Sequence, residues 1–145
     1  MQSLAQYHIA EQTWLKETGP GNGTAPARLQ TLNGTVKPDP DAGLWEPAVV
    51  KMVEFQHLGD DWDGQGARAP SHELLASAIG LAYTLKDQGV DPPHCVVAGV
   101  EGTVTLEWHD PDGTYTEVEI VRPLFAEVMM IEPGQPARHW TLPNQ

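Results

Sequence analysis

An α+β fold is predicted, with an antiparallel meander of four or five strands in the C-terminal part and two or three helices packed on one face. Three observations predict it. The helical apolar periodicities precede residue 90, every alternating segment follows it, and the connections between those segments are short. The 145 residues suffice for one core, and the reading divides them into an irregular N-terminal arm at 1–43 and a single domain at 44–145.

Leu4, Tyr7, Trp14 and Leu15 lie at near-helical spacing and predict a short helix within 4–17. Breakers follow from Thr18 to Pro26, and irregular sequence continues to Gly43, so the arm is expected to order only by docking on the domain or a partner. A helix over 45–57 has Pro47 in its first turn and Val49, Val50, Val53 and Phe55 as an apolar side. Ser71 is a good N-cap for a helix over 71–88, whose stripe is Leu74, Leu75, Ala78, Ile79, Ala82, Tyr83 and Leu85. Gly89 closes it and Pro92-Pro93 prevents continuation. Period two then predicts strands at 94–100, 103–109, 114–121, 124–131 and 137–142.

One turn fixes a register. Asp110-Pro111-Asp112-Gly113 suits a type I turn with Gly113 in the left-handed position of a three-residue hairpin loop. His109 then pairs with Tyr115, Trp108 with Thr116, Glu107 with Glu117, Leu106 with Val118, Thr105 with Glu119 and Val104 with Ile120. Val104, Leu106, Trp108, Thr116, Val118 and Ile120 share the core face. A slip by one residue would mix Val and Leu with Glu on both faces. The other face gathers Glu107, Glu117, Glu119, His109 and Tyr115 as candidate partner-binding residues. Opposed glutamates destabilise a sheet. Two readings fit: a solvated face screened by water and salt, or a face meant for a basic partner or a cation.

Composition narrows the function classes. Twenty acids against eight bases give a net charge of −12 and a pI near 4.6, which argues against nucleic-acid backbones and anionic membrane surfaces. The arm carries only −1, whereas eight acids and no Lys or Arg lie between Lys86 and Arg122. At 40% hydrophobic residues the chain lies above the disordered range. Cys95 is the single cysteine, so an intramolecular disulfide and a thiolate zinc cluster are excluded. A reducing cytoplasm is the expected compartment, since neither a signal peptide nor a long apolar run is visible. Cys95 is expected on the buried side of its strand.

Chemical motifs are few. A Ca²⁺ loop starting at Asp61 would have Asp63 at its third position and Gly66 at its sixth, but Gln65 and His72 occupy the fifth and twelfth. Trp62, Asp63, Gly64 and Gly66 therefore read as a structural loop, with Trp62 plugging the core between two helices and an aspartate accepting backbone N–H groups. The six histidines make no H-x-x-x-H or H-E-x-x-H spacing. No G-x-S-x-G, P-loop or Rossmann pattern occurs. No catalytic residue, metal or cofactor is assigned. Among the five tryptophans, Trp108 reads as core, while Trp14 and Trp45, in or beside the arm, are expected to dock on their own domain, the alternative being to anchor a partner.

Trp62-Asp63-Gly64-Gln65-Gly66-Ala67, the Pro70-Ser71 helix start, Gly102-Thr103-Val104-Thr105-Leu106-Glu107-Trp108 and Glu117-Val118-Glu119-Ile120 resemble a group of small uncharacterised bacterial proteins. The resemblance covers residues 58–121 and implies a compact domain, with no activity, cofactor or catalytic residue attached. The preferred function is a non-enzymatic acidic protein-interaction module, an inhibitory, immunity-type or adaptor subunit of a bacterial complex that meets a basic protein surface. The alternative is a metal-dependent hydrolase or cation-binding protein built on Glu107, Glu117 and Glu119.

Overall fold

The computed structural model describes residues 43–143. The arm up to residue 42, with its expected helix at 4–17, lies outside the described residues. Two helices are described, α1 at Glu46–Glu54, which continues into a 3-10 turn at Phe55–His57, and α2 at His72–Asp87. Five strands follow: β1 Cys95–Ala98, β2 Val104–His109, β3 Tyr115–Arg122, β4 Phe125–Ile131 and β5 Arg138–Leu142. They form one antiparallel sheet in sequential order, the meander expected from the short connections. No described helix is long and apolar enough to cross a membrane.

The helices lie on one face of this sheet, α2 over β2 and β3 and α1 beside β1. Ser71 caps α2 by accepting from the Leu74 N–H at 3.1 Å, an interaction that stabilises a helix by about 1 kcal/mol. The α2 stripe against the sheet is Leu74, Leu75, Ala78, Leu81, Ala82 and Leu85, all buried. Tyr83, expected in that stripe, is instead exposed and Ile79 only half-buried, because the sheet covers a narrower sector of the helix than the apolar sequence offers.

α1 departs further from expectation. Its inward side is Trp45, Ala48, Met52 and Phe55, while Val50 and Val53 are 47% and 42% exposed. Trp45, ahead of the helix, is buried, and its indole N–H donates to the Val90 carbonyl at 3.1 Å. A tryptophan and a methionine fill more volume per position than valines, so they set the phase of this short helix.

The Asp110–Gly113 turn forms as the sequence implies. The Asp110 N–H donates to the Thr114 carbonyl and the Gly113 N–H to the Asp110 carbonyl, both at 2.9 Å. Gly113 has φ +90°, and all six expected β2–β3 pairs are present. The core face follows: Val104, Leu106, Trp108, Thr116, Val118 and Ile120 are buried. The Trp108 indole N–H reaches the Asp91 carbonyl at 2.8 Å, which satisfies the one polar atom this ring carries inside.

The next turn carried no such signal. Pro123-Leu124 closes the β3–β4 hairpin with Leu124 at φ +60°, a conformation unusual for a leucine. Its N–H donates to the Ser77 hydroxyl at 2.6 Å, and its side chain packs against the core, which together hold the strained residue. Between Ile120 and Arg122 the register shifts by a bulge. The bulge restores parity, so that Ile120 faces Ala126 and Val118 faces Val128 inside.

Two expectations are corrected. Trp62 is 36% exposed and does not plug the helix interface; Trp45, Met52 and Phe55 already fill that space. Cys95 is exposed, whereas Val96 points inward. Cys-Val-Val-Ala is apolar throughout and has no alternation to read, so its facing is decided by pairing with β2, where Cys95 lies opposite Glu107.

Candidate functional site

Outside the core, the sheet presents three cross-strand rows. His109, Tyr115 and Ile131 form one. Cys95, Glu107, Glu117, Met129 and His139 form the second, spanning all five strands. Val97, Thr105, Glu119, Glu127 and Thr141 form the third. The described helices lie against the opposite face.

Four glutamates occupy neighbouring positions at the centre of these rows. Glu107 lies directly opposite Glu117, as the turn implied, and Glu119 lies directly opposite Glu127. Glu127 was missed from sequence, because its partner depends on the bulge at residue 121 and on a turn that contains neither Gly nor Asn. Without the bulge Glu127 would oppose Ile120. No Lys or Arg belongs to the rows, while Arg122 stands beyond them with its guanidinium 4.0 Å over the Phe125 ring.

The glutamates are held by neighbours of opposite hydrogen-bonding sense. The Tyr115 hydroxyl donates to Glu117 Oε2 at 2.8 Å and the Thr103 hydroxyl to Glu119 Oε1 at 2.8 Å. Glu107, Glu117 and Glu119 are half-buried, whereas Glu127 is exposed. Burial pushes the Tyr115 phenol well above its ordinary range, helped by the hydrogen bond to Glu117 and by the negative charge of Glu117 and Glu107. Tyr115 thus stays a donor across the physiological range, and a phenolate beside two carboxylates is disfavoured.

At the upper end of the rows, His109 Nε2 lies 4.0 Å from Glu107 Oε2 and its ring 5.0 Å from that of Tyr115. The His109 backbone N–H donates to Nδ1 of His94 at 3.1 Å, which holds the neighbouring imidazole in place. All five residues expected on this face therefore lie on it. Towards β5, Glu117, Glu119, Glu127, Met129 and His139 border a shallow depression of about 150 Å³. Among the described residues, no three His, Cys, Asp or Glu side chains are placed to hold a metal ion.

The loop at 58–70 is built by its own carboxylates. Asp63 Oδ1 accepts from the backbone N–H groups of Gln65 and Ala67 at 2.8 and 3.0 Å. Asp61 Oδ1 accepts from Gly66 at 2.7 Å and Asp60 Oδ1 from Ala69 at 3.0 Å. Gly64 and Gly66 turn the chain at φ +73° and +91°. The bonds from Gln65 and Ala67 hold the Asp63 carboxyl below the ordinary carboxylate value. The Trp62 indole donates to the Arg68 carbonyl at 3.1 Å, so the ring lies over the loop and not in the core. One oxygen of each carboxylate accepts from backbone N–H groups, and these bonds fix the turns of the loop.

Comparison with known proteins found no matching family model, no matching curated protein and no matching solved structure.

Proposed function

We propose that this protein is a non-enzymatic interaction module whose open sheet face docks a basic surface of a protein partner. One observation carries the reading. Glu107–Glu117 and Glu119–Glu127 are two adjacent like-charge pairs at the centre of the face not covered by the described helices. Such pairs cost the sheet about 0.2–1 kcal/mol each when nothing meets them, and cations arriving from a partner turn that cost into attraction. The depression bordered by Glu117, Glu119 and Glu127 suits the end of one lysine or arginine side chain. Ile131 and Val97, 39% and 38% exposed at the margins, add apolar contact around a charged centre.

An inhibitory, immunity-type or adaptor subunit of a cytoplasmic bacterial complex is the setting this module fits. In that setting a single-sign face steers association and accelerates encounter with a basic target. The test is photo-crosslinking in the native host, with the reactive group at Val97 or His139 on the open face and at Val50 on α1 as the control. A partner with a basic surface is expected from the open-face positions and is lost with Glu117→Lys/Glu127→Lys. Crosslinks to a partner protein from Val50 alone would overturn the proposal. If added divalent cations raise the melting temperature of wild type but not of that double variant, a bound cation, and not a protein, is what the face takes.

A further inference from the structure

The helix layer carries a second apolar stripe that the sheet does not use. It runs through Ala76, Ile79 and Tyr83 on α2 and through Val50 and Val53 on α1. Between the helices lies a groove of about 170 Å³, walled by Val53, Gln56, His72, Ala76 and Ile79. No Asp, Glu, Lys or Arg lines it. On a chain of net charge −12, an uncharged groove of this kind suits an uncharged apolar occupant.

We propose that residues 4–15 of the same chain dock in this groove. The segment matches it chemically: Leu4, Tyr7, Trp14 and Leu15 are at near-helical spacing, and Glu11 is the only Asp, Glu, Lys or Arg among these residues. The position of the tether matches as well. The described chain begins at Gly43 and enters α1, one wall of the groove, at Glu46. Residues 18–42 are rich in Gly and Pro, and a flexible chain of that length has an end-to-end distance of about 25–30 Å, comparable with the ~24 Å length of the 16-residue α2.

A tethered segment acts at an effective concentration in the millimolar range, so a weak contact suffices to close the groove. A second copy would have to overcome repulsion between two chains that each carry −12. Met52 and Leu75, at the groove floor, are already buried without the segment. The contact therefore covers the stripe without completing the core, and it stands independently of the sheet-face proposal.

The test is thiol accessibility in the full chain. Cys95→Ser removes the native thiol, and Ala76→Cys places a reporter at an exposed position in the groove. Iodoacetamide should alkylate this reporter at least fivefold faster when Leu4→Ser, Trp14→Ser and Leu15→Ser are added, at any protein concentration. Equal rates in the two backgrounds overturn the proposal, and protection that fades on dilution assigns the groove to a second copy instead. Glu73→Cys, on α2 outside the groove, must react at one rate in both backgrounds; acceleration there too would mean helix opening and would also overturn it. Gln56→Cys, on the 3-10 turn that follows α1, serves as the reporter should Ala76→Cys fail to fold.

Discussion

The two faces of the sheet are made by alternating residues of the same strands, yet they obey different physics. On β2, Leu106 and Trp108 are buried against the helices, while Glu107 between them stands opposite another glutamate. The inner face is satisfied: its apolar groups are covered, and the Trp108 indole has its carbonyl. The outer face is left in tension, with two like-charge pairs tempered by Tyr115 and Thr103 hydroxyls. The difference teaches that this sheet is optimised for folding on one side only. Its other side retains two like-charge pairs, whose cost the proposed basic partner would relieve.

Replacing the largest inner-face ring gives the largest effect. Trp108→Ala should cost about 3–5 kcal/mol in a denaturant melt, because it opens a cavity and removes the bond to Asp91. A cost below about 1 kcal/mol would break the distinction between the faces, since partly exposed positions behave that way. Trp62→Ala sharpens the same point from outside the sheet. Its ring is exposed and loses chiefly one hydrogen bond to Arg68, so the expected cost is about 1 kcal/mol.

Acid titration separates the loop from the open face. The folded-state pKa of Asp63 is lowered from 3.8, so its contribution is fully present above 3.8 and is lost as pH falls through the lowered value. Asp63→Asn keeps an acceptor oxygen but no titrating carboxyl. The melting temperature of the variant should therefore fall less steeply than that of wild type below about pH 4, a window set by the ordinary carboxylate range.

How much was legible follows from where the local signals were. The β2–β3 register was readable because Asp110-Pro111-Asp112-Gly113 is a turn with its own chemistry and the flanking residues alternate strictly. Glu107, His109, Tyr115, Glu117 and Glu119 came with it. Glu127 was not readable, since Pro123-Leu124 has no Gly and its turn is held by Ser77, far away in sequence. Cys95 and Val96 were indistinguishable within an all-apolar strand. Trp62 was misplaced because ring size argues for burial, whereas the bond to Arg68 ties the indole to its own loop. For α1, the sequence points to Val49, Val50, Val53 and Phe55 as the inward side, yet Trp45, Ala48 and Met52 set the phase with Phe55.

The smallest expected change bears most directly on the open face. Glu127 is exposed and opposes Glu119, and its replacement leaves the Tyr115–Glu117 bond intact. Glu127→Lys should therefore leave stability level or raise it by a few tenths of a kcal/mol. The decisive measurement combines this melt with the association rate of the crosslinked partner across a salt series. The account predicts an unchanged or higher melting temperature together with slower association and a shallower salt dependence. A lower melting temperature with an unchanged association rate would contradict it, since the glutamate pair would then serve the fold and not the partner.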